Sequence, residues 1–174
     1  MIENELNLGN AEDLTFITFP IWKLVILDIL TLGLYQMIWF YKYWKTIRDT
    51  KKEKISPFWR ALFAGVSCFW LFPILEKYIL KHHLTAFSGI GMAIIYLLLC
   101  ATCNAPDPIW ILCSLTIVPI IIIQLKINEI NKNSYPNATQ YHWSWKTTLG
   151  LIAYWIVFIM IVFLMAIVYA ITTS

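Results

Sequence analysis

Charge is what this chain has least of. Only 13% of its 174 residues are charged and 60% are hydrophobic, whereas a soluble domain carries about 25% charged residues. Between Leu84 and Leu125 the single charged residue is Asp107, and nothing after Lys146 is charged. A core built from this composition leaves apolar surface that water will not solvate, which excludes an ordinary soluble domain. The first twenty residues lack lysine and arginine altogether but hold Glu3, Glu5, Glu12 and Asp13. A secretory signal opens with a basic region, so the first apolar segment is expected to stay as an anchor. Histidine is also scarce, at three residues. His82 and His83 are adjacent and point different ways on a helix, and with only His142 besides them no metal site is expected. No phosphate loop, zinc-protease motif or nucleophile elbow occurs, so neither catalysis nor a cofactor is expected.

What is present is a set of long apolar runs. Three of them, Phe87–Cys103, Ile109–Leu125 and Leu149–Ile171, have the length a helix needs to cross roughly 30 Å of hydrocarbon. Two further apolar segments precede them. Residues 21–41 start after Pro20, contain Lys23 and Asp28, and pass through Thr31-Leu32-Gly33, where a bend or break is expected. This segment reads as one tilted span or as a re-entrant helix pair. Residues 61–75, opened by a Ser56-Pro57 helix start, reach only about 22 Å as a helix and read as interfacial or re-entrant. Asn104-Ala105-Pro106-Asp107-Pro108 makes a tight turn between two of the runs. Pro119 is expected to kink the fourth run, and Trp143 and Trp145 to anchor the last one at an interface. The expected fold is therefore all-α: a polytopic membrane protein of three to five membrane helices, with an acidic tail at 1–19 and one helical domain at 20–174.

The basic residues are unevenly placed. Lys42, Lys45, Arg48, Lys51, Lys52, Lys54 and Arg60 follow the first apolar segment, and Lys77, Lys81, Lys126, Lys132 and Lys146 come later. If residues 61–75 do not cross, all twelve share one face, as the positive-inside rule prefers. Phe40, Tyr43, Trp44 and Ile47 fall on one helical stripe with Lys42, Lys45 and Asp49 opposite. That is the pattern of an interfacial helix laid aromatic side down on lipid. The seven basic residues at 42–60 are then a lipid-facing patch for anionic headgroups. Nucleic-acid binding is disfavoured, because membrane orientation already accounts for the basic residues.

Thr31-Leu-Gly-Leu-Tyr35, Trp39-Phe-Tyr-Lys42 with Trp44-Lys45, and Ile55-Ser-Pro-Phe-Trp-Arg-Ala61 together resemble a family of small bacterial membrane proteins of unknown function. Its members also carry an asparagine-rich segment before a last hydrophobic helix, as with Asn128, Asn131 and Asn133 here. The resemblance covers residues 20–155, with Ile55–Ala61 its most specific block. It implies a bacterial inner-membrane setting with cytoplasmic basic loops, and no catalytic residues. Asp28, where a small or polar residue is expected, and the short acidic tail depart from the pattern.

Three functional readings follow. The first is a non-enzymatic accessory, adaptor or protective subunit acting through helix or lipid contacts, with anionic lipid, a membrane-protein partner or a second copy of the chain as its partner. The second is a small oligomeric transporter or channel using Asp28, since ionisable groups inside a membrane are disproportionately functional. The third is a thiol oxidoreductase using Cys100 and Cys103, which have dithiol C-x-x-C spacing. Against it, each of the four cysteines lies in an apolar run, where cysteine acts as a small hydrophobe. Asn137-Ala-Thr139 matches a glycosylation sequon that a cytoplasmic bacterial loop does not use.

Overall fold

The computed structural model describes residues 15–52, 54–85, 87–134 and 145–173. The acidic tail up to residue 14, His142, Trp143 and the sequon lie outside them. The described residues are all-helical apart from short connections, and they belong to two compact units divided between Tyr141 and His142.

In the first unit an extended strap, residues 15–19, leads into α1 (Ile21–Leu30), which turns back into α2 (Tyr35–Lys51). Local chemistry makes this turn. Gly33 takes φ +88°, which a side chain would resist, and its N–H donates to the Asp28 carbonyl at 2.9 Å, closing α1 as a left-handed glycine cap does. The Thr31 hydroxyl donates to the Leu27 carbonyl at 2.7 Å and accepts from the Tyr35 N–H at 2.9 Å. One side chain thus serves the end of α1 and the start of α2, where backbone groups have no partner within the helix. The return brings Tyr43 to within 5.0 Å of the Phe16 ring, and Lys42 to within 4.9 Å of the Phe19 ring. Of the two readings of residues 21–41, the structure is the helix pair.

That hairpin overturns the interfacial reading of the aromatic stripe. Trp39, Phe40, Tyr43, Trp44 and Ile47 are at most 1% exposed. They face the strap's Phe16 and Phe19 and the next helices rather than the surface, with Phe40 against Phe72 and Phe16 edge-on to Tyr78. The stripe that would enter lipid is instead the core of the unit.

Residues 57–81 form two helices. α3 (Pro57–Leu62) starts on Pro57 with no side-chain cap from Ser56, contrary to the expected serine cap, and ends at Phe63. α4 (Ala64–Lys81) follows at once, and the Ser67 hydroxyl donates to the Arg60 carbonyl at 2.6 Å across the break. α4 runs straight through Pro73, beyond the expected end at Leu75. It buries Cys68, Leu71, Phe72, Leu75 and Tyr78. α5 (Gly89–Ala101) packs back along it with Gly89 against the Pro73 backbone, so close that a Cβ on Gly89 would sit 2.6 Å from the Pro73 nitrogen. The Gly89 N–H donates to the Glu76 carboxylate at 2.8 Å and the Gly91 N–H to the Ser88 hydroxyl at 3.2 Å. A carboxylate at a helix N-terminus also meets the positive end of the dipole, which gives Glu76 a place between the two helices.

After α5 a 3-10 turn (Thr102–Asn104) and the proline turn lead to a 3-10 stretch (Ile109–Thr116) that passes into α6 (Ile117–Ser134). Pro119 therefore lies in the first turn of the α-helical part, just after the change of helix type. The helical stretch Ile111–Ser134 is long and apolar enough to cross a membrane.

The second unit is one helix, α7 (Trp145–Thr173). Its Ile152–Tyr169 portion also meets the length and composition of a crossing helix. α5 is apolar but shorter, at 13 residues.

Candidate functional site

Several polar side chains of the first unit lie inside it, while much of its outer surface is apolar. Ile26, Ile29, Ile94, Leu98, Ile111, Leu115 and Leu125 are exposed, whereas Asp28, Gln36, Thr116, Gln124 and Asn131 are buried. Buried polar groups need hydrogen-bond partners, and here most of these side chains fall into two sets.

The first set is centred on Gln36. Its Nε2 donates to Asp28 Oδ2 at 3.2 Å and to Thr116 Oγ1 at 2.9 Å, and its Oε1 accepts from the Tyr96 hydroxyl at 3.0 Å. One carboxamide on α2 thus ties α1, α5 and the end of the 3-10 stretch that leads into α6. Thr116 in turn donates to the Cys113 carbonyl at 2.8 Å. Asp28 is 6% exposed, and its Oδ1 has no hydrogen-bond partner among the described residues.

The second set is a carboxamide ladder on α6. Gln124 Oε1 accepts from Trp39 Nε1 and from the Tyr43 hydroxyl, both at 2.8 Å, while its Nε2 donates to the Ile17 carbonyl at 3.1 Å and to Asn128 Oδ1 at 2.9 Å. All four hydrogen-bonding positions of that amide are used. Asn128 holds Phe19 at both backbone groups, accepting its N–H at 3.2 Å and donating to its carbonyl at 2.7 Å. Asn131 donates to the Phe16 carbonyl and to Thr18 Oγ1, both at 2.7 Å. The ladder pins the strap along α6 as a neighbouring β-strand would.

The seven basic residues do not behave as one patch. Arg60 lies over the Trp44 ring at 4.3 Å, Lys42 over Phe19, and Arg48 pairs with Asp49 at 2.8 Å. Lys45, Lys52 and Lys54 are exposed, and Lys51 is half-buried. Beyond Lys54 stands an aromatic ledge: Phe58, Trp59 and Phe63 are 60%, 58% and 59% exposed, with the Trp59 and Phe63 rings stacked 6.4 Å apart. The most exposed aromatics of this region are therefore those of 58–63, while the stripe of α2 is buried and Tyr41 is its one exposed ring among the described residues.

The thiols pair differently from their spacing. Cys103 is bonded to Cys113 across the turn, with Cα atoms 5.1 Å apart, while Cys100 and Cys68 are free. Helix geometry explains it: the chain reversal at Pro106–Pro108 lays the start of the next segment beside Cys103, and Cys100 is one turn further back. The C-x-x-C pair is not a bonded pair here. His82 contacts the Tyr78 carbonyl at 2.9 Å and His83 is exposed. Among the described residues no group of three or more metal-ligating side chains occurs.

Sequence reasoning singled out Asp28 but not Gln36, Tyr96, Thr116 or Gln124, which build the network around and beside it. The available signal was a carboxamide in an apolar stretch, at Gln36 and again at Gln124. No protein-family profile, curated protein or solved structure matches this chain.

Proposed function

We propose that this chain is a non-enzymatic, polytopic membrane protein that acts by contact, gathering anionic lipid headgroups at the ledge of Phe58, Trp59 and Phe63. The observation that carries this reading is the ledge itself, three aromatic residues more than half exposed, a few positions along the chain from the exposed Lys52 and Lys54. Aromatic rings favour the membrane–water interface. Each nearby lysine adds about 1 kcal/mol of attraction to an anionic surface.

The membrane frame is part of the same proposal. Ile111–Ser134 extends about 36 Å as a helix and serves as one crossing element, α7 as another. α5 runs beside the first, and the α1–α2 hairpin is re-entrant. The many exposed apolar side chains of the first unit, and the hydrogen-bonded polar groups within its core, support this arrangement. In a bacterial inner membrane the basic end is cytoplasmic by the positive-inside rule. The Cys103–Cys113 tip then lies in the oxidising compartment, where disulfides persist. A membrane-protein partner or a second copy of the chain would contact the apolar flanks.

Lipid counting by native mass spectrometry tests the reading. The intact protein, released from bilayers containing both anionic and zwitterionic lipid, is expected to retain anionic lipid preferentially. The double change Lys52→Gln with Lys54→Gln, and separately Trp59→Ala with Phe63→Ala, should reduce that retention severalfold with helix content unchanged. Equal retention by wild type and both double variants refutes the ledge as a lipid site.

A further inference from the structure

Asp28 is the one carboxylate described as buried in the interior, and its surroundings do not neutralise it. Oδ2 accepts a single hydrogen bond, from Gln36, and Oδ1 accepts none among the described residues. Lys23, on the same helix, holds its ammonium over the Trp22 ring at 5.3 Å. Of the titratable groups on the packed elements, Tyr96 on α5 interacts with Asp28. The cations of α2 begin two turns on, with Lys42 held over the Phe19 ring and Arg48 paired with Asp49, and those of α4, Lys77 and Lys81, lie in its last two turns. Cys113, before α6, is locked in its disulfide. On α6 the charged residues Lys126, Glu129 and Lys132 lie toward the far end, where Lys126 pairs with Glu129 at 3.2 Å. The hydroxyls near Asp28 are already committed elsewhere: Thr31 donates to the Leu27 carbonyl, Thr116 to the Cys113 carbonyl and Tyr96 to Gln36. A metal cation would need a shell of oxygen ligands that this site does not present. A single proton on the bare oxygen removes the buried charge outright.

We propose that Asp28 is a proton-binding site whose occupancy is sensed by Gln36 and conveyed to α5 and α6 through Tyr96 and Thr116. The proton comes from the aqueous phase and binds Oδ1, and no other bond is made or broken. With Asp28 ionised, the Gln36-to-Asp28 hydrogen bond is charge-assisted and strong. With Asp28 neutral that bond weakens, and Gln36 is left to Thr116 and Tyr96. The balance of the α2 hairpin between α1 on one side and α5 with α6 on the other thus depends on one proton. This inference is independent of the lipid ledge, which shares none of these residues.

Infrared difference spectroscopy of the full chain in lipid bilayers tests it directly. Acidification from mildly alkaline to acidic pH should produce a high-frequency carbonyl band, the signature of a desolvated carboxylic acid. Asp28→Asn should abolish that band. Gln36→Leu should keep the band but shift it, because the hydrogen bond to the carboxyl is gone. Circular dichroism and tryptophan fluorescence establish that each variant retains its fold. A wild-type protein with no such band, or an Asp28→Asn protein that keeps all of it, overturns the proposal. If Asp28→Asn does not fold, Gln36→Leu decides: an unshifted band refutes the coupling.

Discussion

Gln124 shows at the scale of one residue how this interior is held. Its amide joins two aromatic side chains of α2, the strap and Asn128. Gln124→Leu keeps the approximate volume but leaves Trp39 Nε1, the Tyr43 hydroxyl and the Ile17 carbonyl without that partner. Each buried group so stranded costs about 1–3 kcal/mol. We expect a loss of several kcal/mol in all, read as a lower denaturant midpoint in detergent micelles. Gly89 tests a different force. An alanine there drives its methyl into the Pro73 backbone, which cannot yield as a flexible side chain would, and overpacking of this kind costs about 1–3 kcal/mol. Gly150→Ala is the control: no atom among the described residues lies within 4 Å of the added carbon, so no loss is expected in the same assay.

Among the elements, the α1–α2 hairpin is the one most dependent on local chemistry. Thr31→Val preserves shape but deletes a donor and an acceptor that both helices use, and losing a capping hydroxyl costs about 0.5–2 kcal/mol. Gly33→Ala adds strain at φ +88°. Both changes should loosen the return of α2 against the strap, seen as increased accessibility of Trp39 and Trp44 to an aqueous fluorescence quencher. The break at Gly33 was legible in the sequence, because a glycine after Thr-Leu within an apolar run has few other uses. The destination of the aromatic stripe was not. Lipid and protein interior are both apolar, so Phe40, Tyr43, Trp44 and Ile47 give the same helical pattern whichever covers them. Only the distant strap and α4, brought in by the hairpin, distinguish the two. Phe58, Trp59 and Phe63 were not singled out in the sequence: their exposure comes with the six-residue helix that ends at Phe63, and no periodicity marks so short an element.

Across the whole molecule, hydropathy made the long helices legible, including Ile111–Ser134 and α7, because length and absence of charge suffice to define them. The network was not legible, since Gln36, Tyr96, Thr116 and Asp28 are spread over residues 28–116 and no local pattern links them. Covalent chemistry offers a check on the global chain path. Alkylation of the denatured, unreduced protein from native membranes should modify two thiols, Cys68 and Cys100, and prior reduction should raise this to four. Four modifiable thiols without reduction would mean that the 102–113 tip is not closed as described.

The strap also sets a timetable for the newborn chain. Phe19 is bonded to Asn128, 109 positions later, so the residues that seat the strap do not exist when it is made. At about 5–20 residues per second a ribosome needs roughly 5–20 s to supply them. Tyr43, Lys42 and Tyr78 reach Phe16 and Phe19 earlier, but until α6 is made the strap's backbone lacks its Gln124, Asn128 and Asn131 partners and is the more open to proteolysis. Biogenesis of this protein is therefore most vulnerable near its beginning, and that vulnerability ends only when α6 arrives.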